Sequence, residues 1–217
     1  MNFITLNYSS RKKNKTVKYI IIHYTGMVDF SSAYRKLNNL KSEVSCHYLI
    51  SRRGKIYNLL CPNFKGWHAG VSEWRNIKNL NDYSIGIELE NKGHDNGYTS
   101  FTNSQYNELK KLIKFLKFSF FIKNRDILFH SDIAPNRKKD PGEKFLIKKI
   151  GIERFKIDHN KTTDIDKLLN LYGFSHNYIK LYKLDCIKAV KRSMNYRIID
   201  SSISESFKKK FCNLLFN

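Results

Sequence analysis

The run VKYIIIHY at residues 17–24 constrains the fold more than any other segment. It has the length and β-branched content of a strand. It is too continuous in apolar residues to leave one face in water, so it reads as an interior strand of a covered sheet. The run closes on His23, a titratable group at the point where a buried strand must open into a loop.

Other segments supply neighbours for that strand. Residues 83–90 (YSIGIELE) alternate strictly, with Ile85, Ile87 and Leu89 facing one way and Gly86, Glu88 and Glu90 the other. Residues 126–129 read as a short strand running into His130. Residues 47–50 and 55–60 flank Ser51-Arg52-Arg53-Gly54, a hairpin with glycine at its turn. Helices are expected over 31–41, with Ser31 or Ser32 as cap and Ala33, Leu37 and Leu40 on one face, over 103–118, and over 142–149. From 156 to 163 the sequence turns polar and loses its period, as a linker would. Beyond it, 163–171, 181–194 and 201–215 read as three short amphipathic helices, with Leu168, Leu169, Ile187, Val190, Phe207 and Phe211 as core. The expected fold is α/β: a central mixed β-sheet flanked by helices over 1–158, then a small three-helix domain over 163–217.

Hydrophobic residues at 41% and charged residues at 27% of 217 are ordinary globular values, which excludes a disordered chain. The longest apolar-rich stretch, 116–122, is far short of the ~20 residues of a membrane span. Forty basic against nineteen acidic residues give +21, a surface attracted to polyanions: nucleic acid, anionic lipid or an acidic wall polymer. Thirty of the forty are lysine and they are scattered rather than striped, so nucleic-acid binding, which leans on arginine forks, is not expected. Cys46, Cys61, Cys186 and Cys212 are widely spaced with no CxxC pair and read as reduced thiols rather than a disulfide framework.

Three segments carry polar groups where apolar strands end: IIIHYTG with His23, SIGIELEN with two carboxylates on one face, and HSDIAPNRKKDPG with His130, Asp132, Lys138, Lys139 and Asp140. Strand ends that open onto loops are where α/β sheets place their sites. Two histidines and one carboxylate can fill three corners of a zinc tetrahedron and leave the fourth for water. Spacing alone does not choose the ligands, because neither HExxH nor CxxC is present, and His47 in CHYLIS competes on chemistry.

In this order, IIIHYTG, CHYLISRRGKIY, GWHAGVSEWR, NDYSIGIELEN and HSDIAPNRKKDPG resemble the zinc-dependent N-acetylmuramoyl-L-alanine amidases of the AmpD/AmiD type, whose fold is shared with peptidoglycan recognition proteins. The resemblance covers residues 17 to 155. It implies that His23, His130 and Asp140 hold Zn²⁺, that Glu88 is the catalytic carboxylate, and that Lys138 is an electrophilic helper. It makes His47 a buried, hydrogen-bonded residue and selects Glu88 over Glu90, which pattern alone cannot separate. Trp67 and His68 resemble the wall of a substrate cleft; Arg75, Asn91 and Arg137 are candidate hydrogen-bonders there, and Asp132 a brace for its loop. The implied reaction is hydrolysis of the amide between N-acetylmuramic acid and L-alanine, with peptidoglycan or a muropeptide as substrate. The alternatives are a non-catalytic recognition module and a stem-peptide endopeptidase. The three-helix tail resembles peptidoglycan-binding modules and favours the bacterial envelope. The N-terminus lacks the pattern of a secretory leader, which favours the cytoplasm unless a leader was removed.

Overall fold

The structure is a computed structural model that describes residues 5–154 and 162–216. In chain order its strands are β1 (Tyr8–Ser10), β2 (Tyr19–Tyr24), β3 (Tyr48–Ile50), β4 (Ile56–Asn58), β5 (Phe64–Gly66), β6 (Glu73–Trp74), β7 (Ile77–Lys78), β8 (Ser84–Leu89) and β9 (Ile127–Phe129). The α-helices are α1 (Phe30–Asn38), α2 (Asn103–Phe120), α3 (His130–Ile133), α4 (Ile165–Tyr172), α5 (His176–Ser193) and α6 (Glu205–Phe216).

Five strands form the main sheet in the order β4-β3-β8-β2-β9. Strands β3, β8, β2 and β9 run parallel, and β4 adds an antiparallel edge through the expected hairpin. The sheet is therefore mixed, and the isoleucine run is interior, paired on both sides. Its two faces separate cleanly by the period of two. Ile20 and Ile22 join Ile85, Ile87, Ile127 and Phe129 against α2, while Tyr19, Ile21 and Leu128 face the other way. Helix α2 is fixed at its start by a capping box, in which Thr102 accepts from the Gln105 backbone and Gln105 reaches back to the Thr102 N–H.

The second face is shared. Its lower half is covered by α4, α5 and α6: Leu168, Leu169, Ile187, Val190, Phe207 and Phe211 are all buried in one cluster with Ile21, Leu128 and Trp74. Trp74 meets Tyr172 and Phe174 edge-on at 5.5 and 5.7 Å. Glycine is required at 173, because a Cβ there would lie 2.3 Å from the Trp74 ring. Asp132 ties the two parts together. It accepts from the Phe129 N–H at 2.8 Å and the Tyr172 hydroxyl at 2.7 Å, and it pairs with buried Arg154.

Several local expectations are corrected. Helix α1 is capped by Asp29, which accepts from Ser32 N–H at 2.7 Å, and it stops at Asn38, so Leu40 is exposed on a 3-10 turn. Residues 142–149 are not a helix. Gly142 turns the chain at φ +83°, and the Glu143 and Phe145 carbonyls accept from Asn195, so only a 3-10 turn forms at Ile147–Ile150. Helix α5 starts five residues earlier than its period suggests, because Ser175 caps it and Tyr182 (φ −135°, ψ 34°) joins two helical pieces across a kink. The expected linker falls mainly on residues 155–161, which lie outside the described residues. All four cysteines are free thiols, and Cys46, Cys186 and Cys212 are buried.

Candidate metal centre and active site

Parallel register assembles the site from distant segments. His23 of β2 stands opposite Glu88 of β8, on the face not taken by α2. Phe129 of β9 pairs with Ile22, so the next residue, His130, arrives level with His23. The loop after α3 then folds back. Arg137 and Lys138 N–H groups donate to Ala134 O, and Ser131 N–H donates to Asp140 O at 2.9 Å, which delivers the Asp140 side chain to both histidines.

His23 Nδ1, His130 Nδ1 and Asp140 Oδ2 form a triangle with sides of 2.9, 3.0 and 3.1 Å, and all three residues are buried. The hydrogen bonds behind them set which nitrogens carry protons. His130 Nε2 lies 3.2 Å from Ala69 O, which can only accept, so the proton sits there and Nδ1 presents a lone pair. For His23 the chain is longer. The Ser84 hydroxyl donates to Leu80 O at 2.7 Å and so accepts from His68 Nε2–H, at 3.4 Å. His68 Nδ1 then accepts from His23 Nε2–H at 3.0 Å, and His23 Nδ1 also aims a lone pair into the triangle. Two imidazole lone pairs and a carboxylate oxygen in contact repel one another unless a cation lies among them. The sides are slightly below the roughly 3.3 Å that zinc bonds of ~2.0–2.1 Å give in a tetrahedron. Backing of this kind fixes ligand orientation in metal sites. The residues fit a metal.

Electrostatics agree. Burial first, then the charge of His130, lowers His23 to about 4, so it stays neutral near pH 7. Burial opposes ionisation of Asp140, yet positive charge and protons brought by His130 and His23 hold it well below the usual carboxylate range, the part a cation takes when the two Nδ1 atoms present lone pairs. Burial and then Asp140 push Glu88 well above that range, against Lys138 and Lys36. Its Oε2 is shielded and has no hydrogen-bond partner among the described residues. Glu90 follows Glu88 by two residues, but its carboxylate accepts from the Arg52 N–H at 2.7 Å on the loop side. Tertiary structure thus separates two glutamates that alternation made equivalent.

The triangle opens into a cleft of 540 Å³ whose lining includes Glu88, Lys138, Trp67, His68 and Arg137. Trp67 is held by Nε1–H donation to Ser9 Oγ at 3.2 Å. Arg137 reaches the carbonyls of Ala69 and Val71, so it also steadies the strip that anchors His130. Two candidates lie elsewhere. Arg75 has its N–H on Gly173 O and its charge near Asp126 and Tyr19, away from the cleft. The Asn91 amide is used within its own loop, accepting from Gly93 N–H and donating to Thr99 O. His47 is not drawn to the triangle either: its Nδ1 accepts from Gly86 N–H at 2.9 Å and its Nε2–H donates to Phe64 O at 3.1 Å. The sequence reading missed Lys36, which lines the cleft beside Ala33 and Leu37 of α1. Its i, i+3, i+4 spacing with those residues was the available signal.

A mixed α/β sheet carrying a buried His₂–Asp cluster, with Glu88 beside it in an open cleft, defines a fold with a metal-capable site. The family model described as N-acetylmuramoyl-L-alanine amidase matches residues 13–143, and the chain belongs to that family. It is 38% identical over 141 residues to N-acetylmuramoyl-L-alanine amidase AmiD of Escherichia coli (strain K12), an alignment covering 59% of this chain and 50% of that protein. The chain thus spans about half the length of that curated relative. The structure of E. coli AmiD with the substrate anhydro-N-acetylmuramic acid-L-Ala-D-gamma-Glu-L-Lys matches with TM-score 0.76 and 28% identity, covering 92% of this chain and 88% of that one. Pseudomonas aeruginosa AmpDh3 in complex with anhydromuramic pentapeptide matches with TM-score 0.77 and 27% identity, covering 97% and 93%. Both likenesses run beyond residue 143 into the C-terminal helices.

Proposed function

We propose that this chain hydrolyses the amide between the lactyl group of N-acetylmuramic acid and L-alanine in peptidoglycan or its muropeptides, with Zn²⁺ held by His23, His130 and Asp140. The observation that carries the reading is the coincidence, in one cleft, of two lone-pair-presenting histidines, an ionised aspartate and a glutamate oxygen with no partner among the described residues. When bound, zinc supplies Lewis acidity towards a carbonyl and lowers the pKa of water.

Glu88 has the position and the raised proton affinity to take a proton from the attacking water and return it to the departing nitrogen. Such acid–base help contributes typically 10²–10⁴-fold. Lys138 brings an ammonium group to the cleft, where it would stabilise the oxyanion of the tetrahedral intermediate. The indole of Trp67 offers an apolar face to sugar or peptide. Lys36, Arg137 and Lys139 add positive charge suited to the carboxylates of a stem peptide.

Mass spectrometry of digested muropeptides, with and without chelator and with Glu88→Ala, tests the reading. Release of an intact stem peptide from the sugar, abolished by chelator and reduced at least 10²-fold by the substitution, is expected. A peptide cut internally would assign an endopeptidase instead, and stoichiometric zinc without cleavage a recognition module.

The division into 1–158 and 163–217, wall binding by the second unit and action in the envelope belong to the same proposal; likeness to AmiD across the helices supports them. Truncation is a poor test, since α4–α6 cover Ile21, Leu128 and Trp74. Leu181 and Leu184 are exposed on α5. Their replacement by serine should weaken sacculus binding several-fold and leave cleavage of a small muropeptide unchanged; unchanged binding would remove this face from the proposal.

A further inference from the structure

Helix α2 turns an unusual surface to solvent. Its buried residues, among them Tyr106, Leu109, Leu112, Ile113 and Leu116, pack on the sheet. On the outer side Phe115 and Phe118 are 60% and 83% exposed, and Phe121, at the cap, is 89% exposed. Phe121 is held outward in the left-handed region at φ +55°, which a bulky side chain adopts at a cost. The spacing of Lys111, Lys114, Phe115 and Phe118 places them on one stripe. Between residues 107 and 125 there are six basic residues and one acidic residue, Glu108, which pairs with Lys111 at 2.6 Å. Lys110, Lys114, Lys123 and Arg125 are exposed around the aromatics. An apolar groove of 610 Å³, lined in part by Ile56, Leu60, Leu112, Phe115 and Phe120, continues this surface towards the sheet-edge strand β4.

We infer that the outer face of α2 docks on an anionic lipid bilayer. Three protruding phenylalanines ringed by lysines match an interface whose headgroups are negative and whose interior is apolar. No helix among the described residues is long and apolar enough to span a membrane, so α2 would lie on the surface rather than cross it. A second copy of the same face is disfavoured, because both surfaces would carry the same positive charge. A soluble polyanion would neutralise the lysines and leave the phenylalanines in water. The cleft opens on the other side of the sheet, so docking through α2 leaves it free to take substrate from the aqueous side.

The test is flotation of the full chain with vesicles of 30% phosphatidylglycerol in phosphatidylcholine, against phosphatidylcholine alone. Binding to the anionic vesicles only is expected. Replacing Lys110, Lys114 and Lys123 together by glutamine should weaken it on the order of 100-fold. Phe115→Ser with Phe118→Ser and Phe121→Asn should weaken it at least about tenfold, with thermal melting used to confirm that the fold persists. Phe118→Trp gives a second readout, a blue shift of emission on adding anionic vesicles. No binding by the unaltered chain, undiminished binding by the phenylalanine variant, equal affinity for soluble polyphosphate, or no emission shift would each overturn the inference. No arm uses hydrolysis, so the result is independent of the proposed reaction.

Discussion

The two halves of one sheet face make opposite use of the same strands. In the lower half, Ile21 and Leu128 lie under α4, α5 and α6, with Trp74 and Tyr172 sealing the contact. In the upper half, His23 and Glu88 follow on the same face of the sheet, with His130 just past the end of β9, but among the described residues α1 only lines their flank through Ala33, Lys36 and Leu37, and the surface is a cleft. Strand periodicity brings both sets to one side; what covers each set decides whether it becomes core or site. The lower half gains stability from exclusion of water. The upper half accepts crowded polar groups whose mutual repulsion would be costly without a cation.

That contrast can be broken by exchanging its outcomes. Phe211→Ala in the covered half should cost about 3–5 kcal/mol of stability, read from denaturant midpoints, while folded protein keeps its metal stoichiometry. Lys138→Ala in the open half should leave the midpoint nearly unchanged and lower turnover about 10²–10³-fold, roughly 3–4 kcal/mol in barrier. If both variants lost stability and activity alike, the two halves would not be separate in function.

Gly86→Ala probes the strand that serves both. A Cβ at Gly86 would lie 2.4 Å from the His68 ring, which carries the hydrogen-bond chain orienting His23. Up to about 3 kcal/mol of overpacking is expected, with weaker zinc affinity by competition titration. Unchanged affinity would show that His68 does not position His23.

A smaller effect comes from pH. His47 is lowered from 6.5 to about 3, chiefly by burial. Well above pH 6.5 neither state is protonated and the residue contributes nothing to the pH dependence. As pH falls below 6.5 the unfolded chain takes up a proton that the fold refuses, so stability falls with pH until about 3. Between pH 7.5 and 5 this one group should remove about 2 kcal/mol from the metal-free protein. Urea midpoints across that range check it, and His47→Gln should flatten the slope.

The sequence made much of this legible. The isoleucine run, the alternation at 83–90 and the amphipathic period over 103–118 are local patterns, and they return as β2, β8 and α2. The His23, His130 and Asp140 cluster was legible through motif resemblance: the two histidines stand at the ends of β2 and β9, while Asp140 reaches them only through a loop that folds back. Other features depend on partners far along the chain. Residues 142–149 lack a helix because Asn195 takes their carbonyls. Arg75 and Asn91 look like cleft residues in their motifs, but their bonds are made to Gly173 and to Gly93 and Thr99.

The sequence by itself determined which residues face the same side of each strand, since a period of two is a local steric property. It also determined the chemical inventory: imidazoles, carboxylates and a lysine-rich exterior. Only the tertiary structure decided which of two glutamates enters the cleft, which histidine nitrogens keep their lone pairs, and that the last three helices complete the core of the sheet. Register, burial and hydrogen-bond direction are relations between segments that meet only when the chain closes on itself.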